Sequence, residues 1–304
     1  MPYRLALERK IAIRLTDDGF HLETDAEIRI AKIDGLIRPF EHSFRDAPIK
    51  EMNGFVGIIL GSLSERLTVD SRQTDQHFFL EMKQGKCTTF EQKPQSSTLG
   101  TTMCFAPDTG IFEQTDLSSE VFHSYFRRLS YLHSGIEFSI NTGDGDIVYF
   151  HEDGVRDMFI AMSTPYQLMH EPVCLVAEED DLRIEFALAC HSWSNDVTLC
   201  FMNNGRAVKG GTHEDGFLET LTWLKQEMDF PEYGGSGLIA LACFHYPNVI
   251  YEGCIKDYVG NKGLKKRVHN LMKAKLQDFL VDNPAIKKRM LQSERFLFPE
   301  IWND

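Results

Sequence analysis

Two groups of residues in this 304-residue chain have the types and spacing to do chemistry. The first is the stretch FMNNGRAVKGGTHEDGFL, Phe201 to Leu218, in which His213 stands beside Glu214 and Asp215 just after Gly210 and Gly211. An imidazole next to two carboxylates is the set a general base needs, because a carboxylate orients the ring and supports its charged form. The same residues also read as an ordinary loop between a strand and a helix. The second group is Cys243, His245 and Cys254, a set of soft and borderline ligands that suits zinc. Against that, Cys243 and His245 alternate with apolar residues and read as core positions of a strand. Other common signatures are missing. There is no GxSxG nucleophile elbow, no glycine-rich loop ending in Gly-Lys-Ser/Thr, and no CxxC pair.

Composition narrows the class. With 42% hydrophobic and 25% charged residues, the chain has the make-up of a soluble globular protein, and its length suits two domains. A net charge of −13 argues against a protein that coats DNA, since phosphate binding needs clustered lysine and arginine. The basic residues Lys262, Lys265, Lys266, Arg267, Lys273 and Lys275 do cluster, and read as a solvated helix face. The seven cysteines (Cys87, Cys104, Cys174, Cys190, Cys200, Cys243, Cys254) are scattered and odd in number, as expected of reduced thiols in a cytoplasmic protein. Neither a long apolar segment nor a signal-peptide core is present, so no membrane role is expected.

The elements that must position these residues follow from pattern. Arg9 to Ile30 reads as a hairpin turning at Asp17 to Gly19, and Gly54 to Leu67 as a helix entered from a glycine. Leu67 to Phe90 reads as two strands, Lys93 to Thr98 as a polar loop and Thr101 to Pro107 as a strand. Ser118 to Tyr131 is an amphipathic helix with Ser118 and Ser119 at its start, followed by two strands around Gly143 to Gly145 and a helix near Gly154 to Met162. Val173 to Glu178, Leu182 to His191, Leu199 to Phe201 and Gly237 to Phe244 read as strands, and Phe217 to Met228 as a helix. Leu264, Val268, Met272, Leu276 and Leu280 recur every fourth residue, so Gly263 to Leu280 is a helix, broken at Asn283 and Pro284 before a last helix from Ala285. A domain boundary is expected near Gly110, giving domains of 1–109 and 110–304.

The motifs resemble those of a known family. GGTHEDGF after Phe201-Met202-Asn203-Asn204 resembles the GGTHExGF signature of the transducer domain in gyrase B, the ATPase component of DNA gyrase, and its topoisomerase IV relative. Leu99 to Glu113 resembles the segment joining the ATPase domain to the transducer, and Phe126 to Gly135 resembles LRELAFLNxG. Pro247 to Asn261, PNVIYEGCIKDYVGN, is similar to PNPQYEGQTKTKLGN nearly position for position. The resemblance runs from Leu99 to about Leu291. It implies an α+β architecture: a reduced, degenerate GHKL ATPase-like domain, then a transducer-like domain of the ribosomal-S5-domain-2 type.

It also implies where a nucleotide would sit. Asp25 stands for the aspartate that reads adenine, Thr101 for the threonine that helps hold it, Gly54 for a lid glycine, and Lys256 for the lysine that touches the terminal phosphate. The departures are specific. Thr24-Asp25-Ala26-Glu27-Ile28-Arg29-Ile30 stands where the family has TDNGRGI, so Glu27 and Arg29 replace glycines where backbone must approach the nucleotide. Asn53-Gly54-Phe55-Val56 stands for HGVG, with Val56 in place of the second glycine, and a phosphate cradle is poorer for it. Cys254 and Ile255 replace the Gln and Thr ahead of Lys256.

The chain begins where the family helix carrying the base and the magnesium ligand would already have ended, and it stops after the transducer-like part. In-line phosphoryl transfer needs a positioned water, a metal and charge compensation. The expectation is therefore a gyrase-B-like protein impaired in ATP hydrolysis, without full topoisomerase activity, that acts by interaction. Its partner would be itself, as a homodimer, or a gyrase or topoisomerase IV subunit, as a heterodimer, with DNA involved only indirectly. Two alternatives stay open. One is a repurposed small-molecule enzyme, for example in a biosynthetic pathway, using the former ATP pocket with Asp25, Thr101, Cys254, Lys256 and His213 as first candidates. The other is an ATP-hydrolysing topoisomerase fragment, with ATP and magnesium as cofactors. No metal ligand set beyond that is expected.

Overall fold

The structure is a computed structural model and describes residues 10–25, 55–74, 76–94, 99–193, 195–203, 205–228, 230, 237–253 and 256–297, with no side-chain description for 55–58 and 293–297. Contacts divide the chain into two units, Met1–His151 and Glu152–Asp304.

The first unit is built on an eight-stranded sheet. The hairpin β1 (Lys10–Thr16) and β2 (Gly19–Thr24) turns at Asp17 and Asp18. Gly19 has φ 153°, and a β-carbon there would overlap the Phe105 carbonyl, so the turn requires glycine. Helix α1 (Phe55–Ser62) is shorter than its apolar run suggests, because the chain becomes strand at Ser64. Three strands, β3 (Ser64–Arg72), β4 (Gln76–Lys83) and β5 (Lys86–Pro94), fill the region read as two strands and the start of a polar loop. The third was missed because most of β5 is exposed and polar, and so lacks an apolar face to give period two. β6 (Gly100–Pro107), α2 (Ser119–Leu132), β7 (Glu137–Asn141) and β8 (Asp146–Tyr149) follow as expected, although Ser118 makes no side-chain cap bond.

The strand order is β5-β4-β3-β6-β2-β1-β7-β8. All neighbours are antiparallel except β1 and β7, whose parallel register pairs Ile11 with Phe138 and Ile13 with Ile140. Contacts divide the chain after His151, since β7 and β8 belong to the first sheet and α2 packs on it. Under α2, Ile13, Phe126, Ile136, Phe138 and Ile140 form one core, while Leu67, Val69, Phe78, Leu80 and Met82 form another beside Leu60.

The second unit starts with α3 (Gly154–Ser163) and the antiparallel pair β9 (Val173–Glu179) and β10 (Leu182–Cys190). β11 (Val197–Met202), α4 (Thr212–Glu227) and β12 (Leu238–His245) then form a βαβ crossover, since β11 and β12 are parallel. The sheet order is β11-β12-β10-β9. A two-residue ladder joins β13 (Tyr251–Glu252) to β14 (Tyr258–Val259), and α5 (Leu264–Asp282) and α6 (Pro284–Leu297) close the unit. The every-fourth-residue stripe of α5 is buried as its spacing requires, against Phe217, Leu221 and Leu224 of α4 and the strand residues Ile184, Phe186, Ala242 and Phe244.

Candidate functional site: two loops of the second unit and one sheet end of the first

α4 starts at Thr212, five residues before the apolar spacing first shows, so the GGTHEDGF stretch is the N-terminus of a helix. Each of its unusual residues answers a packing demand. Gly211, at φ 134°, bridges to Val259, and a β-carbon there would fall 2.5 Å from the Val259 nitrogen. One turn into α4, Gly216 faces α5, where a β-carbon would overlap the Lys265 carbonyl and lie 2.8 Å from Val268 Cβ. The two helices therefore cross at backbone contact. Thr220 completes the crossing, its hydroxyl donating to the Gly216 carbonyl at 2.8 Å and lying 3.3 Å from His269 Nδ1.

His213 is not presented to solvent. It is fully buried, edge-on to Phe244 with ring centroids 5.3 Å apart, and its Nε2 lies 3.8 Å from Cys200 Sγ. Its Nδ1 has no hydrogen-bond partner. Burial pulls its pKa down to about 4, and burial with Glu214 nearby pushes the Cys200 thiol up to about 12. Both are neutral near pH 7. A ring sealed beneath α4 can fill the core but cannot reach a substrate proton, so the general-base reading has no geometry behind it.

Two asparagines that the resembled motifs contain, Asn203 and Asn261, hold the loop frame. Asn203, at the end of β11 with φ 54°, accepts from the Tyr246 backbone N–H at 2.9 Å and donates to its carbonyl at 3.1 Å, tying β11 to β12. Asn261 accepts from the Ile250 N–H at 2.7 Å and donates to the Asn248 carbonyl at 2.8 Å. These bonds tie Asn248 and Ile250 to Asn261. The available signal was an asparagine just past a strand end, where a short amide can replace backbone partners.

Lys256 lies on that loop, exposed, at φ 58°, with its Nζ 5.7 Å from the centre of the Tyr251 ring. Cys254 lies outside the described residues, as do Gly54, Glu27 and Arg29. Cys243 is fully buried and burial raises its thiol well above the ordinary range, while His245 Nε2 lies 3.6 Å from Glu185. Among the described residues no group of three or more His, Cys, Asp or Glu side chains is disposed to hold a metal ion.

In the first unit, β2 and β6 bring two expected residues to one sheet end. Thr24 is the register partner of Thr101, and Asp25 follows it, exposed, accepting the Lys10 backbone N–H at 3.3 Å. Gly100 permits this, because a β-carbon there would lie 2.8 Å from the Thr24 carbonyl and 3.6 Å from Asp25 Cα. Thr101 itself is fully buried, with its hydroxyl 2.9 Å from that of Ser71. Asp25 and Thr101 thus share a place in the first unit, whereas Lys256 and His213 belong to the second.

No family model matches the chain. Gyrase B from Helicobacter pylori is 27% identical over 249 residues, 75% of this chain and 32% of that protein. Gyrase B from Streptococcus pyogenes is 24% identical, with 95% of this chain and 49% of that protein covered. The chain therefore spans about a third to a half of the length of the relatives it matches. The 43K ATPase domain of Thermus thermophilus gyrase B superposes with a TM-score of 0.71 at 19% identity, covering 95% of this chain and 83% of that one. The topoisomerase IV ATP-binding domain of Francisella tularensis gives 0.71 at 15% identity, covering 97% and 88%. No described helix is long and apolar enough to cross a membrane. In sequence this chain is similar to gyrase B, and its α+β fold is that of the ATPase regions of gyrase B and topoisomerase IV.

Proposed function

We propose that this gyrase-B-like chain is impaired in ATP hydrolysis and works through association in the cytoplasm, with a second copy or with a gyrase or topoisomerase IV subunit, and with DNA only indirectly. The observation that carries this reading is the arrangement around Lys256. In the resembled loop this lysine follows Gln and Thr and touches a phosphate. Here it follows Cys254 and Ile255, and its ammonium lies over the Tyr251 ring of its own hairpin. The replacement of glycines by Glu27, Arg29 and Val56 points the same way, because each adds bulk where backbone would meet the nucleotide. The described loop frame, by contrast, keeps its asparagine bonds, Asn203 to Tyr246 and Asn261 to Asn248 and Ile250. Association is supported by β8, an edge strand of the first unit on which Ile147 and Val148 are exposed, with Phe150 beside it. In these terms the reduced ATPase-like part would extend to about His151, and the transducer-like part would follow.

The test is calorimetry with ATP and a non-hydrolysable analogue, with and without magnesium, on the wild type and Lys256→Ala. Phosphate release and co-purification with purified gyrase and topoisomerase IV subunits complete it. The expected result is no magnesium-dependent binding, no release and stable association. Saturable ATP binding lost in Lys256→Ala would overturn the impaired-site reading.

A further inference from the structure

The first sheet ends in two edges of opposite character. At one end β5 presents Lys86, Lys93 and Pro94 around an exposed Phe90, and its register against β4 shifts between Glu81 and Met82. Charge, proline and an irregular register are what keep an edge strand from pairing with another chain. β8, at the other end, reads Asp-Ile-Val-Tyr without lysine or proline, and runs in unbroken register with β7. Among the described residues no strand lies on its outer side. Ile147 and Val148 point to opposite faces of the sheet and are 47% and 50% exposed, with Phe150 just beyond at 51%. An edge that is apolar on both faces is covered by a strand added beside it, since a helix laid on one face leaves the other in water. One contact surface is already positioned: Tyr149 has its hydroxyl 3.0 Å from His123 Nδ1 and its ring 5.7 Å from the Arg127 guanidinium.

We propose that β8 pairs antiparallel with β8 of a second copy, about a two-fold axis that passes at Val148 perpendicular to the sheet. This rests on the reading that the chain works by association, and names the surface and its occupant. A two-fold normal to the sheet keeps like faces together, so only residues of the same face can stand opposite each other. In the register centred on Val148 the strand is complementary to itself. Val148 meets Val148 on one face, and Ile147 of each copy meets Tyr149 of the other on the face of α2, a β-branched and aromatic pair made twice. Asp146 falls opposite Phe150, so no carboxylate of the strand meets a like charge. The register centred on Ile147 keeps only the Ile147 pair, and sets Asp146 against Val148 and Gly145 against Tyr149. Pairing β8 with β5 would be head-to-tail and leave open ends, and β5 is the protected edge. A four-residue ladder buries far less than the roughly 1,600 Å2 of a standard interface, so the expected dissociation constant is micromolar or weaker.

The experiment is sedimentation equilibrium of the full chain from about 5 to 500 micromolar, comparing wild type, V148K, I147K, V148T and F90K. Circular dichroism melts check that each variant folds, and I147K serves if V148K does not. The wild type is expected to dimerise. V148K sets two ammonium groups opposite each other at the axis and should weaken the dimer by about tenfold or more. V148T keeps a β-branched residue, and F90K changes the other edge, so both should stay within about threefold of wild type. A wild type that is monomeric throughout, a dimer unaffected in the folded β8 variants, or a dimer lost in F90K would overturn the β8 pairing. A chain that is monomeric alone yet co-purifies with a gyrase or topoisomerase IV subunit would sink self-pairing and leave the association reading standing. Failure to associate with either would sink both.

Discussion

The sheet end at Asp25 and Thr101 and the loop pair around Gly211 and Asn261 differ in how far their motifs carry through into contacts. In the second unit the signature residues are occupied by the fold itself: Gly211 under Val259, Gly216 under α5, Asn203 on Tyr246 and Asn261 across its own loop. In the first unit Thr101 is buried against Ser71, but the neighbouring glycine positions carry Glu27 and Arg29. Residues that the framework needs match the resembled motifs, whereas the expected ligand-meeting set is mixed: Asp25, Gly54, Thr101 and Lys256 match it, and Glu27, Arg29, Val56, Cys254 and Ile255 depart from it. A motif can therefore persist for packing reasons after the chemistry beside it has changed.

The comparison breaks if the loop glycines are dispensable. Gly211→Ala is expected to cost about 3 kcal/mol or more, because its β-carbon meets backbone that cannot step aside at a φ of 134°. Gly205→Ala, with nothing within 4 Å of its β-carbon, is expected to change stability by less than about 0.5 kcal/mol. Urea denaturation of the pair measures the contrast, and equal effects would remove the packing argument.

A comparable effect is expected from pH. His213 has its pKa lowered from 6.5 to about 4, so the unfolded chain binds its proton first. Its contribution is complete above about pH 6.5 and is lost as pH falls towards 4, a swing of about 3 kcal/mol. His213→Phe should flatten that part of the stability profile, and denaturation at pH 7, 5.5 and 4.5 reads it. A profile unchanged by the substitution would place His213 in water.

Smaller losses separate frame from ligand contact. Asn203→Ala leaves two backbone groups of Tyr246 without their amide partner and should cost about 2 kcal/mol in thermal or urea melts. Lys256→Ala removes only an exposed ring contact and should cost about 0.5 kcal/mol or less. If Lys256→Ala proved the more damaging, the lysine would belong to the frame and the division drawn between the two kinds of residue would fail.

Local pattern alone determined much of this protein. The hairpin of β1 and β2, the α5 stripe and the strands β9, β10 and β12 were legible because each is decided by periodicity and turn residues over a few positions. The motif resemblance was legible as well, since rare residue types at fixed spacing need no fold to be seen. Tertiary structure decided the rest. It set the division at His151, because the pairing of β1 with β7 joins residues more than a hundred positions apart and no local pattern announces it. It turned His213 from a candidate base into a buried ring, since a histidine among glycines and acids reads the same whether it faces water or Phe244. It also set Asp257 against Lys209, 48 residues away, where the charge of each is visible in sequence but their pairing depends on two loops meeting.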